Sequence, residues 1–64
     1  MKWSDAQQIA EELYDLDPDL DPLTLRFTEL HAKVCALDGF DDDPERSNER
    51  ALEAILMAWL KERE

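Results

Sequence analysis

The sequence predicts a mainly α fold, a small three-helix single domain spanning residues 1–64. Three observations carry that reading. Apolar residues recur at i, i+3 and i+4 in three separate stretches, as buried helix faces require. Pro18, Pro22, Gly39 and Pro44 punctuate the intervals between them. With 64 residues, the chain has room for one core and none for a second.

The first helix is expected over 5–16. Ser4 and Gln7 stand at capping-box spacing, and Asp5 lies in the first turn, where the helix dipole favours an anion. Ala6, Ile9, Ala10, Leu13 and Tyr14 form its apolar stripe, and Asp17-Pro18 ends it, because proline disfavours helical geometry in the residue before it. The connector Asp-Leu-Asp-Pro-Asp-Leu-Asp-Pro over 15–22 is irregular, although Asp21-Pro22 has the pattern of a cap and first residue of a short helical turn. Leu23, Leu25 and Phe27 alternate with polar residues, which fits either a short strand or an extended lead into the next helix. Thr28 is the expected cap of the second helix, with Glu29 in its first turn, Leu30, Val34 and Leu37 on one face and Gly39 past its end. After an acidic loop over 40–46, Ser47 is the expected cap of a third helix, whose stripe is Leu52, Ile55, Leu56, Trp59 and Leu60.

Composition excludes several function classes. Seven Lys and Arg face seventeen Asp and Glu, a formal net charge of -10. Nucleic-acid binders neutralise phosphates with clustered bases, so this chain is repelled by such a backbone and by an anionic membrane surface. The charge instead calls for a cation or a basic protein patch. A single cysteine forms no internal disulfide and fits a reducing compartment, and Met1-Lys2-Trp3-Ser4-Asp5 runs into a charged helix with no apolar leader, so a cytoplasmic location is expected. Nothing in so short a chain supplies an activated nucleophile and a pocket around it, so no enzyme is expected.

The acids are segregated. Glu11, Glu12, Asp15, Asp17, Asp19 and Asp21 fall in one block and Asp38, Asp41, Asp42, Asp43 and Glu45 in another, neither containing a base; between them Arg26 and Lys33 face Glu29 alone. Clustered carboxylates offer oxygen ligands to hard cations such as Ca²⁺, Mg²⁺, Mn²⁺ and the iron ions. An EF-hand is ruled out: a loop begun at Asp15 places Leu20 where glycine is needed and Arg26 where glutamate is needed, and one begun at Asp41 places Arg46 and Leu52 there. What remains is a shallow, water-sharing cation surface, for which the 11–21 carboxylates are the candidate ligands, or a solvated face that keeps the protein soluble. The 38–45 acids are the candidate contacts to a basic partner.

His31 and Cys35, at i and i+4, share a helix face, but two ligands fall short of a structural zinc site. The simpler reading makes Cys35 a core or boundary residue and His31 a surface one. Trp3, Tyr14, Phe27, Phe40 and Trp59 lack the basic neighbours that base stacking needs and are expected to pack in the core or at its edge.

Taken together, Trp3-Ser4-Asp5, Leu20-Asp21-Pro22, Arg26-Phe27-Thr28, Leu30-His31, Phe40-Asp41-Asp42-Asp43-Pro44, Ser47-Asn48-Glu49 and Leu52-Glu53-Ala54-Ile55-Leu56 with Trp59 resemble the IscX (YfhJ) family across essentially the whole chain. Lys33 departs from the pattern, which carries an aromatic there. The resemblance implies a modified winged-helix-like fold working in bacterial iron–sulfur cluster assembly. It also implies an acidic surface that binds a basic patch of the cysteine desulfurase IscS, as adaptor or regulator, in competition with bacterial frataxin. No tightly bound cofactor is implied; weak binding of Fe²⁺ or Fe³⁺, as iron donor or sensor, is the alternative role. The fold label does not imply DNA binding, since fold does not fix function.

Overall fold

A computed structural model describes residues 1–64. Its elements in chain order are helix α1 (Ala6–Leu16), a single 3₁₀ turn (Pro22–Thr24), helix α2 (Phe27–Cys35), a second 3₁₀ turn (Pro44–Arg46) and helix α3 (Glu49–Glu62). No residue is in a strand, so the alternation at Leu23–Phe27 is a 3₁₀ turn leading through an extended Leu25 into α2. The mainly α, three-helix architecture is the one the periodicity predicts.

The three stripes meet. Ile9, Ala10 and Leu13 of α1, Leu30 and Val34 of α2, and Leu52, Ile55 and Trp59 of α3 are buried together with Trp3 and Leu37. The principal packing is α1 on α3, with α2 laid across both. Gln7 Nε2 donates to Glu62 Oε1 at 2.6 Å across the first pair, and Arg63 reaches Asp21 at 3.3 Å, fastening the end of α3 to the first 3₁₀ turn. The radius of gyration is 10.3 Å, against about 10.7 Å expected for a compact chain of this length. Among the five aromatics, Trp3 and Trp59 are core and Tyr14 and Phe40 border it, whereas Phe27, in the first turn of α2, is exposed.

The helix starts lie one or two residues away from their expected caps. Asp5, and not Ser4, precedes α1, and its carboxylate accepts the Lys2 N–H at 2.8 Å, so the Ser4–Gln7 capping box does not form. Arg26 precedes α2, which makes Thr28 an interior residue; an arginine has no acceptor, so the start is held only by Glu29 Oε1 receiving the Arg26 N–H at 3.0 Å. Asn48, and not Ser47, caps α3, with Oδ1 receiving the Ala51 N–H at 2.8 Å. The Asp21 cap forms as expected, its carboxylate receiving the Leu23 N–H at 3.0 Å.

Candidate functional site

The loop between α2 and α3 carries the second acidic block, and its conformation is imposed from both sides. Leu37–Phe40 turns through a hydrogen bond from Phe40 N–H to Leu37 O, and Gly39 takes φ 87°, the left-handed conformation that glycine adopts without a side-chain clash. The chain then meets the N-terminal segment. The Met1 ammonium donates to Gly39 O at 2.7 Å and to Asp41 Oδ1 at 2.9 Å, while Asp41 N–H donates to Met1 O at 3.0 Å. Lys2 Nζ donates to Asp41 O at 2.8 Å and lies 3.3 Å from Asp41 Oδ2. Trp3 continues the register, its backbone N–H reaching Asp42 Oδ2 at 3.1 Å and its indole Nε1–H reaching Asp43 O at 2.8 Å.

Two further carboxylate bonds lie within the loop. Asp42 Oδ1 receives the Asp43 N–H at 2.7 Å, and Asp43 Oδ1 receives the Glu45 N–H at 2.9 Å, which caps the second 3₁₀ turn. From the other side His31 on α2 donates Nε2–H to Pro44 O at 2.7 Å. The Asp41 carboxyl is held below its ordinary pKa, first by the bond from the Met1 ammonium and then by that from Lys2; the Trp3 and Asp43 N–H groups hold Asp42 down likewise. Both carboxylates therefore keep their charge to lower pH than an ordinary aspartate.

The five expected partner contacts therefore divide. Asp41, Asp42 and Asp43 spend their oxygens shaping the loop. Asp38 and Glu45 are exposed, and their carboxylates take no part in the bracing. The six expected cation ligands, Glu11, Glu12, Asp15, Asp17, Asp19 and Asp21, are all exposed along α1 and the connector; Asp21 is engaged by Arg63 and the Leu23 N–H. No three His, Cys, Asp or Glu side chains converge on a point that could hold a metal ion, so the 11–21 carboxylates form a strip and not a cage.

Two contributors escaped the sequence reading. The Met1–Trp3 segment contacts the loop across nearly forty residues, a separation no local pattern encodes. His31 is a half-buried latch, stacked on Trp3, and not the surface residue expected; the i, i+4 spacing to Cys35 was its only sequence signal. Cys35 is half-buried at the core edge, as expected, and burial raises its thiol pKa.

Fold and site define a small acidic helical protein with a braced carboxylate loop. A family model described as iron–sulphur cluster assembly matches residues 1–64. An uncharacterized protein of Pseudomonas aeruginosa, PA3808, is 44% identical over 64 residues, covering 100% of this chain and 97% of its own length. The chain belongs to the iron–sulphur cluster assembly family that its motifs resemble, the IscX (YfhJ) family. No helix is long and apolar enough to cross a membrane.

Proposed function

We propose that this protein is an acidic adaptor of cytoplasmic iron–sulphur cluster assembly, binding a basic patch on the cysteine desulfurase IscS and modulating its activity. The observation that carries the reading is the braced 38–45 loop. Its shape is fixed by the Met1–Trp3 segment and His31, so Asp38 and Glu45 are presented from a preformed surface on a chain of net charge -10. Preformed charge limits the ordering cost of binding and steers encounter with a positive partner. Bacterial frataxin, acting through the same basic patch, would compete. The family match supports the cluster-assembly setting; the desulfurase enters through the resemblance and the charge. The alternative of an iron donor or sensor is confined to weak, water-sharing attachment along 11–21, since those carboxylates form no cage.

The test is an amide NMR titration of labelled protein with purified desulfurase at low and moderate salt. Salt-sensitive signal loss centred on residues 38–45 is expected, weakened in an Asp38→Asn, Glu45→Gln double variant, whose changes leave the loop's bracing bonds in place. Unchanged spectra at both salt concentrations would remove the desulfurase as partner.

A further inference from the structure

On the side of the molecule where α2 meets the braced loop, a pair of softer ligands has been set in place by that bracing. His31 Nε2 lies 2.7 Å from Pro44 O. A carbonyl only accepts, so Nε2–H is the donor, and in the neutral ring Nδ1 is the nitrogen with the lone pair. The ring is held in that pose by its stack on Trp3, at a centroid separation of 5.3 Å. Nδ1 faces Cys35 Sγ at 3.9 Å, one helical turn on. An imidazole fixed through its far nitrogen by a backbone carbonyl is the outer-sphere arrangement that orients histidine on metals.

We propose that His31 Nδ1 and Cys35 Sγ form a two-point chelate for a thiophilic d-block cation of the Zn²⁺ class, its remaining positions filled by water or a partner's side chain. Metal–sulfur and metal–nitrogen bonds of ~2.3 and ~2.05 Å span the observed 3.9 Å at an angle of about 127°. A side-chain adjustment closing the pair to about 3.6 Å gives the tetrahedral angle. On binding, the Cys35 S–H bond breaks, its proton passes to solvent, and the thiolate and the Nδ1 lone pair both donate to the cation. Thiolate and imidazole select borderline and soft cations, whereas the 11–21 carboxylates select hard ones, so the two surfaces draw on different ions. This chelate stands independently of the desulfurase reading.

The experiment uses Cd²⁺ as a spectroscopic probe, with Zn²⁺ as competitor. Titration should produce a saturable ultraviolet thiolate-to-metal charge-transfer band that Zn²⁺ displaces and that excess Mg²⁺ leaves unchanged. Cys35→Ser should abolish the band. His31→Gln should keep it but weaken apparent affinity about tenfold or more, since removing even an outer-sphere partner costs that much. Amide spectra of both variants check that the helices remain. No band in the folded parent, or equal affinity in a folded His31→Gln variant, would overturn the chelate.

Discussion

The Trp3 indole lies stacked on the His31 imidazole, their centroids 5.3 Å apart and their planes inclined by 27°. The two rings donate to successive carbonyls of the acidic loop, Trp3 Nε1 to Asp43 O and His31 Nε2 to Pro44 O. One ring comes from the N-terminal segment and the other from α2, so the loop is latched to two parts of the chain through one aromatic unit. Phe40 meets the same indole edge-on at 4.8 Å, closing the loop over it.

Trp3 should therefore be the residue whose loss the fold tolerates least outside the helices. It is only 5% exposed, and truncating a buried tryptophan to alanine costs about 3–5 kcal/mol. In a chain of this size Trp3→Ala should be largely unfolded at room temperature. Trp3→Phe keeps the apolar contact and forfeits the Nε1 bond, a loss of roughly 1 kcal/mol. Urea denaturation of both variants checks the order; equal stability of the two would mean that ring packing contributes little.

Acid should loosen the loop. Asp41 and Asp42 both release their protons more readily folded than unfolded, because the Met1 ammonium, Lys2 and the Trp3 and Asp43 N–H groups stabilise their charged forms. Their contribution to stability is complete above the ordinary carboxylate range and is lost as pH falls through the lowered folded values. Asp41→Asn and Asp42→Asn should each be less stable than the parent at neutral pH, with the gap narrowing below about pH 4. Thermal melts across pH 2–7 test this; a gap independent of pH would show that the carboxylate charge is not what the loop uses.

Much of the architecture was legible because it rests on periodicity. The α1 and α3 stripes identified Ile9, Leu13, Leu52, Ile55 and Trp59, and all are buried. The caps were less legible: where the packed helix face fixes the first turn puts Asp5 and Asn48 ahead of α1 and α3 in place of the adjacent Ser4 and Ser47, and ahead of α2 it puts Arg26, which has no acceptor, in place of Thr28. The site was least legible. Residues 38–45 stood out by charge alone, and a run of aspartates reads identically whether its oxygens face solvent or receive Trp3 and Asp43 N–H groups.

The cap assignment for α3 separates two adjacent residues. Asn48 Oδ1 receives the Ala51 N–H at 2.8 Å, so Asn48→Ala should cost about 1 kcal/mol and lower the melting temperature by roughly 4–8 °C in a domain of this size. Ser47→Ala should stay within about 0.5 kcal/mol of the parent. Calorimetry of the two single variants decides it, and a larger loss at Ser47 would return the cap to that residue.

Lys33 offers the last test, because the family resemblance implies an aromatic where this chain has a lysine. It lines a cavity of about 180 Å³ with Leu13, Leu16, Asp17, Ala36 and Trp59, and Leu16 beside it is 72% exposed. A ring at position 33 would cover Leu16 and cap the cavity floored by the buried Trp59. Removing about 40–60 Å² of apolar surface from water stabilises by roughly 1–1.5 kcal/mol. Lys33→Phe should accordingly melt several degrees higher than the parent, even though the change deepens an already large negative charge. Lys33→Gln isolates that charge effect, since it removes the ammonium and adds no ring. If the Phe variant proves no more stable than the Gln variant, the cavity does not accept a ring, and the lysine stem already fills it as well as an aromatic can.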